Sequence, residues 1–333
     1  MALPSSGQIT LNQVNVELGL SGTAQIGMND AAVRALFGVA SGQITMANGY
    51  GKSSEYTLTN QGTINGQSNR KEITVSDYIS AGGTIVVPSG FWVWSDNVAT
   101  PAMIIDITCT IKNSGKIIGK GGGIKTYPSG GTEGAFAGGP AIKINSGVSS
   151  VTIINNSGAY IAGGGGSGYG FTTYFGGYGA GAGGGVGGGV GSSAAYGNGG
   201  GGVLNGSGVV GGMLSNGGSA GAGNSGGGGG AGGGGGAGYP GLAASGGGGG
   251  RILPGTGGAG GSVTGVGGTG GAAGNVGGNG TSNGAYAAGG GGGWGATGGN
   301  TSGNHPGASG GKAVDDSGVT YTLTQNGTVY GAT

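Results

Sequence analysis

Residues 225–241 read SGGGGGAGGGGGAGYPG, a stretch with almost no side chains. Glycine loses more conformational freedom on ordering than any other residue, and without side chains no hydrophobic core can form. The stretch is therefore either a disordered linker or a segment whose backbone is itself the packing material. The sequence around it distinguishes these two possibilities.

A ten-residue repeat follows this stretch. TGGAGGSVTG (256–265), VGGTGGAAGN (266–275) and VGGNGTSNGA (276–285) all begin with x-G-G-x-G. A polyproline II-type helix has three residues per turn, a rise of about 3.1 Å per residue and no internal hydrogen bonds. Glycine backbones in such helices can hydrogen-bond to each other, because no Cβ keeps them apart. The period predicts a bundle or two-layer sandwich of polyglycine II helices.

The rest of the chain divides around this glycine-rich region. The predicted regions are a small α+β module (1–55), a β-rich domain (56–160) and the polyglycine II bundle (161–311), with a returning strand in 312–333. The return is inferred because YTLTNQGTI (56–64) recurs as YTLTQNGTV (321–329), and we expect the last strand to pack near the start of the β-rich domain. The fold class is mostly irregular or β.

Three similar units occur in the N-terminal module. They contain the pairs Ile9/Leu11, Ile26/Met28 and Ile44/Met46, within SGQITL, TAQIGM and SGQITM. Each unit is interpreted as a short strand followed by a helix, the last one degenerate; a small domain with chance similarity is the alternative. We expect Asn12 to cap the first helix, Asn29 or Asp30 to cap the second, and Gly38 to end the second.

The β-rich domain contains a repeat of its own. TIKNSGKIIGKGGG (110–123) matches TIINNSGAYIAGGGG (152–166), with one residue inserted. Both have β-branched runs on each side of an Asn-Ser-Gly turn. Repeated strand–turn–strand units predict coils of a β-helix or a stacked sheet.

Composition and motifs argue against several functions. Among 333 residues, 102 are glycine, 6% are charged and the net charge is +1, so nucleic-acid binding is not expected. No apolar run is long enough to span a bilayer, and no secretory signal is recognised. One cysteine, Cys109, and one histidine, His305, cannot supply a metal site. The G-K-S in YGKSS (50–54) lacks the upstream glycine of a phosphate-binding loop. We predict a non-enzymatic protein with no cofactor and no metal.

The large side chains of the glycine-rich region lie between its glycine runs. Such connections are typical of loops that carry function, and Tyr/Ser-rich, glycine-hinged loops are typical of binding surfaces. Alternatively, the aromatic residues fold back and cover the ends of the bundle. The candidate binding residues are Tyr169, Phe171, Tyr174, Phe175, Tyr178, Tyr239, Leu242, Arg251, Ile252, Leu253 and Trp294.

This order of regions resembles the distal adhesins at the tips of the long tail fibres of T-even-like bacteriophages. The N-terminal SGQITLNQVNVELG and NDAAVRALFGVASG are also similar to modules at the starts of other phage tail-fibre and tail-tip proteins. The resemblance covers residues 1–55 and 161–311, whereas residues 56–160 depart from it. It implies a non-enzymatic receptor-binding protein of the virion, assembled in the host cytoplasm, whose loops set host range.

Two partners follow from the resemblance. The first is a trimeric fibre shaft, which the N-terminal module would cap through Leu11, Met28 and Met46 as three near-equivalent anchors; a homotrimer with one module per chain is the alternative. The second is a bacterial surface receptor, an outer-membrane protein or lipopolysaccharide. No membrane insertion is expected.

Two other functions are compatible with the glycine-rich region. An ice-binding protein would present a regular array of small residues, for which Thr256, Ala259, Thr269 and Ala272 are suitable. A structural spacer would need neither the aromatic loops nor the N-terminal repeat. Thermal hysteresis distinguishes an ice-binding protein from an adhesin.

Overall fold

In the residues that the structure describes, most regular structure is parallel β-sheet, which confirms the predicted β-rich class. The computed structural model describes residues 3–18, 20–61, 63–64, 67–79, 81–95, 97–122, 135–169, 203–204, 207–208, 243–244, 265–266, 268–282, 286–287, 289–301 and 305–333.

The N-terminal module is built from short helices. They are α1 (Leu11–Glu17), α2 (Ala31–Phe37) and a 3₁₀-helix (Met46–Gly49). No strand is found in the described residues between 3 and 54, so the predicted strands of the repeated units are wrong. Ile9 is instead buried, and Ile26 and Ile44 pack against a core that includes Val14 and Phe37. The isoleucines therefore contribute to a shared apolar core and not to a paired sheet.

The repeated units share a helix-starting interaction. In each one a backbone N–H donates to a side-chain oxygen three residues later: Thr10 to Gln13 (2.8 Å), Gly27 to Asp30 (2.7 Å) and Thr45 to Asn48 (2.8 Å). The first and third of these belong to complete capping boxes. In the second unit Asp30 is itself the N-cap of α2, so the three units share this local hydrogen bond and not one position of the helix start.

The predicted caps are correct for the second helix and wrong for the first. Thr10, and not Asn12, caps α1, because its capping box with Gln13 starts the helix two residues earlier than predicted. Asp30 is the N-cap of α2, and Gly38 ends that helix with φ of 72°, in the left-handed region that suits glycine.

Residues 55–162 and 314–330 form three sheets that the chain visits in turn. Sheet 1 contains β1 (Glu55–Thr57), β5 (Thr84–Val87), β8 (Cys109–Asn113), β11 (Val151–Asn155) and β20 (Tyr321–Gln325). Sheet 2 contains β2 (Thr63–Ile64), β3 (Gln67–Lys71), β6 (Trp92–Trp94), β9 (Lys116–Ile118), β12 (Tyr160–Ala162) and β21 (Thr328–Tyr330). Sheet 3 contains β4 (Ile73–Thr74), β7 (Met103–Ile105), β10 (Ile142–Ile144) and β19 (Val314–Asp315).

The remaining regular elements are short. They are a 3₁₀-helix (Val75–Asp77) and the strands β13 (Val203–Leu204), β14 (Ser207–Gly208), β15 (Ala243–Ala244), β16 (Gly265–Val266), β17 (Thr281–Ser282) and β18 (Tyr286–Ala287).

Each circuit through the three sheets is one coil of a parallel β-helix. Within each sheet, every strand pairs in parallel with the equivalent strand of the next coil; only β2, which pairs with β3, is antiparallel. Four coils include a strand in every sheet, and the last consists of β20 and β21. Of the two predicted architectures, a β-helix and a stacked sheet, the β-helix is formed.

The sequence repeats correspond to positions on different coils. The copies at 110–123 and 152–166 are successive coils, with Thr110 opposite Thr152 and Asn113 opposite Asn155. The second pair of copies, 56–64 and 321–329, contributes to β1 and β20, which occupy opposite edges of sheet 1. At about 4.8 Å per strand, these edges lie roughly 19 Å apart. The expectation that the C-terminal strand packs near the start of the domain is therefore wrong.

The interior of the β-helix is apolar. On β8 and β11, buried and half-buried residues alternate, as expected when one face of each strand points inward. Fully buried inward residues come from all three sheets, and include Ile111, Ile153, Ile117, Ile161, Met103 and Ile142. Burial of each such side chain stabilises the fold by about 1.5–3 kcal/mol.

The corner between sheets 2 and 3 lengthens from coil to coil. It is a single residue, Glu72, in the first coil, and then spans 95–102, 119–141 and 163–313. The glycine-rich region is thus an insertion at one corner of the fourth coil, and the β-helix continues after it.

Candidate attachment and receptor-binding sites

The described part of the glycine-rich region is held together by backbone hydrogen bonds between separate segments. We refer to segments 119–122, 135–140, 163–169, 268–280, 289–301 and 305–311 as the glycine array. The predicted boundary at residue 161 missed its first two segments, which belong to the corner of the third coil.

Hydrogen bonds in the array recur every three residues. The segment 163–167 hydrogen-bonds to three antiparallel neighbours, at 2.7–2.9 Å. The N–H of Gly164 donates to Gly139, and that of Ser167 to Phe136. From the second neighbour Gly311 donates to Gly164 and Ala308 to Ser167, and from the third Gly295 donates to Gly163 and Gly292 to Gly166. This spacing is expected for a backbone with three residues per turn, in which every third residue faces the same neighbour.

The same period relates two hairpin-like segments. N–H groups of Gly271, Gly274, Gly277 and Gly280 donate to the carbonyls of Gly291, Trp294, Thr297 and Asn300, respectively. Each segment turns at a glycine with positive φ, Gly274 (74°) and Gly295 (65°). The described parts of the predicted ten-residue units 266–275 and 276–285, residues 268–275 and 276–280, form the two arms of the first hairpin, so the ten-residue period agrees with one arm and its turn.

Absence of side chains is a requirement of this packing. An added Cβ on Gly164 would overlap the carbonyl of Lys120, and one on Gly290 would overlap that of Thr269. The same holds for most described glycines of the array, whose closest neighbours are backbone atoms.

Trp294 anchors the array on the β-helix. It stands in the turn of the second hairpin, and its side chain is fully buried against Trp92, Ile118 and Ala162 of sheet 2. Its ring lies edge-on to Tyr160, with centroids 6.0 Å apart. The prediction that Trp294 contacts a receptor is therefore wrong, because its indole has no exposed surface.

Tyr169 is another predicted receptor-binding residue within the described array. Tyr169 is half-buried and stacks on His305, with ring centroids 4.9 Å apart, so its ring contributes to packing within the array. The other predicted receptor-binding residues, Phe171, Tyr174, Phe175, Tyr178, Tyr239, Leu242, Arg251, Ile252 and Leu253, lie outside the described residues.

The predicted attachment anchors differ in exposure. Leu11 is 43% exposed, whereas Met28 and Met46 are half-buried and pack against the core of the module. Val16 and Leu20, which lie outside the predicted anchors, are also exposed. Isolated apolar residues on helices of this length carry no periodic signal that marks them as exposed.

A buried carboxylate joins the N-terminal module to the β-helix. Glu17, at the end of α1, accepts hydrogen bonds from Ser53 Oγ (2.8 Å) and from the Ser54 N–H (2.9 Å). The Ser54 hydroxyl donates to the Glu17 carbonyl. A cleft of about 410 Å³ lies beside this joint, lined by Leu36, Lys52 and Tyr78 among others.

The described residues contain no group of three or more His, Cys, Asp or Glu side chains that could hold a metal ion. None of the helices in that part of the chain combines the length and apolarity that crossing a membrane requires. Cys109 is a free, buried thiol on β8.

Comparisons with known proteins give one structural likeness. No protein-family model matches the chain, and no curated protein matches it. A solved structure, the gp37–gp38 adhesin tip complex of the bacteriophage S16 long tail fibre, aligns with 98% of this chain and 99% of that chain. The sequence identity is 16% and the TM-score is 0.40, values that do not define a family for the chain.

Proposed function

We propose that this chain is a receptor-binding adhesin at the tip of a bacteriophage tail fibre, with no enzymatic role. In this proposal the N-terminal module attaches to the fibre shaft, and the β-helix separates the module from the host. The glycine-rich region carries the loops that bind a bacterial outer-membrane protein or lipopolysaccharide. These loops set the host range.

The observation that carries the proposal is the glycine array itself. Its segments pack on each other mainly through backbone atoms, so the large side chains of the connections are not needed for that packing. Large aromatic residues in the same region are concentrated in the connections, between 169 and 254. A rigid support with variable loops is the usual arrangement of a binding surface. We infer that the glycine runs outside the described residues extend the array as a polyglycine II sandwich.

The repeated N-terminal module supports the proposed shaft contact. The three units share a hydrogen bond from a backbone N–H to a side chain three residues later, and three such similar turns can face a threefold shaft. Three weak contacts in one chain reinforce each other through effective concentration. Leu11, with Val16 and Leu20 nearby in sequence, is the exposed apolar surface available for such a contact.

Exchange of the loops tests the receptor site. Phe171, Tyr174, Phe175 and Tyr178 are replaced by serine in one variant, and residues 239–254 by a Gly/Ser sequence of equal length in another. Tyr169 is retained because it stacks on His305. We expect folding to be unchanged and adsorption of the phage to its host to be lost. Val276→Ser, at a residue that is 61% exposed on the array, is the matched control and should adsorb normally. If adsorption survives both exchanges together, the receptor site lies elsewhere.

Stoichiometry at the fibre tip tests the attachment. Native mass spectrometry or electron cryo-microscopy of the tip should find one copy of this chain for three shaft chains. Three copies around the axis would replace the single cap with a homotrimer, and no copy at the tip would contradict the proposed function.

A further inference from the structure

The outer face of sheet 2 carries a row of aromatic and cationic side chains. Asn69, Trp92, Lys116 and Tyr160 stand at the same position on four successive coils. Neighbouring strands are about 4.8 Å apart, so side chains in such a row touch. Trp94 lies two residues beyond Trp92 and therefore points to the same face.

Lys116 is held between two aromatic rings. Its ammonium lies 4.2 Å from the ring centroid of Trp92 and 5.6 Å from that of Tyr160, within the range of cation–π contacts. No carboxylate contacts this ammonium in the described part of the chain. By contrast, Lys112 pairs with Glu55 at 2.6 Å and Lys312 with Asp315 at 2.7 Å. Partial burial lowers the pKa of Lys116, an indication that its charge has lost some of its water.

The surface around this cation is suited to a sugar ring. Trp94 and Tyr160 are half-buried, and the Tyr160 ring also packs against Trp294 and Tyr330. The Trp94 indole N–H donates to Asn69 Oδ1 at 3.0 Å, which fixes the ring. Aromatic rings have an apolar face that packs against the C–H face of a pyranose, and an ammonium offers three hydrogen-bond donors.

We propose that this face, formed by Lys116, Trp94 and Tyr160, binds an anionic saccharide. Its carboxylate or phosphate would lie on the Lys116 ammonium, and its ring would pack on an adjacent aromatic side chain. The inference deepens the proposed function and depends on it for its biological meaning, because it names a second contact with the bacterial surface that is separate from the loops.

The three tryptophans of the chain provide a direct measurement. Trp92, Trp94 and Trp294 all belong to one cluster next to this face, so tryptophan fluorescence, excited selectively over the tyrosines, reports on that cluster. Purified full-length protein is titrated with glucuronate, glucose 6-phosphate, glucose and inorganic phosphate. We expect saturable changes with glucuronate or glucose 6-phosphate, and the stronger of the two identifies the anionic group. Equal binding of glucose, or inorganic phosphate binding as tightly as glucose 6-phosphate, would overturn the proposal.

Variants separate binding from packing. Lys116→Met keeps an apolar stem over Trp92 and removes the charge, and should weaken binding at least tenfold with little change in the melting temperature. Lys116→Arg keeps the cation and should bind within a few-fold of the parent. Lys112→Gln removes a charge from the neighbouring strand β8 and should bind normally. Unchanged binding by Lys116→Met, or by Lys116→Gln if the first variant does not fold, contradicts the inference.

The two proposals can fail separately. If the anionic sugars do not bind while the loop exchanges still abolish adsorption, only the saccharide site is excluded. If the sugars bind through Lys116 while adsorption is independent of the loops, the receptor site proposed for the loops is excluded instead.

Discussion

At the scale of single residues, this protein depends on side chains that are missing as much as on those that are present. At most described glycines of the array, a backbone carbonyl of another segment occupies the space that a Cβ would need. A larger residue is therefore excluded by a steric clash. In the β-helix the opposite holds, and isoleucines fill the interior. The same chain therefore uses two kinds of packing, one of backbone on backbone and one of apolar side chains.

Substitution within the array tests the first kind of packing. Gly164→Ala would place a Cβ on the carbonyl of Lys120, so the segments must separate and lose hydrogen bonds. We expect a loss of at least about 1–3 kcal/mol in unfolding free energy, as for overpacked cores. Denaturant unfolding measures it. Val276→Ala, at an exposed position of the array, serves as the control and should change stability by less than about 0.5 kcal/mol. Equal stability of both variants would contradict backbone packing.

The buried thiol gives a prediction for pH. Burial, and then the nearby Asp106 carboxylate, raise the pKa of Cys109 from 9.0 to about 12. As the pH rises, the thiol ionises in the unfolded chain before it does so in the folded protein. The unfolded state is thereby stabilised, so the free energy of unfolding should fall between about pH 9 and 12. The denaturation midpoint should fall over this range, and less so in Cys109→Ala. Because only the thiolate reacts, a thiol reagent at pH 8 should label the folded protein no faster than it unfolds. Rapid labelling would show that the thiol is exposed.

At the scale of elements, polar ladders align the coils. Asn113 Nδ2 donates to Asn155 Oδ1 at 2.9 Å and to the Tyr160 carbonyl at 3.1 Å, and Asn155 Nδ2 donates to the Thr328 carbonyl at 3.2 Å. Both asparagines are fully buried at the corner between sheets 1 and 2. Each therefore satisfies backbone groups of the next coil at the point where the chain leaves a strand, which fixes the register of successive coils.

Removal of one asparagine should destabilise three coils together. Asn155→Leu leaves the Thr328 carbonyl without this donor and removes an acceptor from Asn113. An unsatisfied buried polar group costs about 1–3 kcal/mol. We therefore expect the free energy of unfolding, measured by heat or denaturant, to fall by that amount for each such group. Thr152→Ala, on the outward side of the same strand, is the control and should be nearly neutral. A neutral Asn155→Leu would mean that the ladder does not contribute to stability.

At the scale of the whole molecule, one joint connects the N-terminal module to the rest. Glu17 is only 6% exposed and binds Ser53 and Ser54 at the start of the β-helix. The backbone pair from Leu3 N–H to the Lys52 carbonyl (2.8 Å) brings the beginning and the end of the module together beside it. The Glu17 carboxylate thus helps to fix the orientation of the proposed shaft-binding module.

Mutation of the joint should release the module and leave the β-helix folded. Glu17→Ala removes charge-assisted hydrogen bonds to Ser53 and Ser54, which are stronger than neutral ones. We expect faster limited proteolysis near residues 50–54 and an unchanged main unfolding transition. Glu55→Gln removes an exposed ion pair with Lys112, worth about 0–1 kcal/mol, and should behave like the parent. Simultaneous loss of module and β-helix in Glu17→Ala would show that they fold as one unit.

Local features of this protein could be predicted from the sequence because they depend on neighbours in the chain. The cap and end of α2 follow from Asp30 and Gly38. The coil repeat at 110–123 and 152–166 follows from matching strand and turn residues, since equivalent sequences adopt equivalent conformations. The three-residue period of the glycine segments agrees with hydrogen bonds that recur every third residue in the described array.

Contacts between distant parts of the chain were decided only by the tertiary structure. A repeat determines the conformation of each copy and not its level along the β-helix, and for this reason β1 and β20 lie at opposite edges of sheet 1. Burial of Trp294 required the array to fold back on sheet 2, an approach that its own segment does not encode. Lys116 reaches Trp92 and Tyr160 because one coil rises by one strand spacing, which places residues far apart in sequence in a single row.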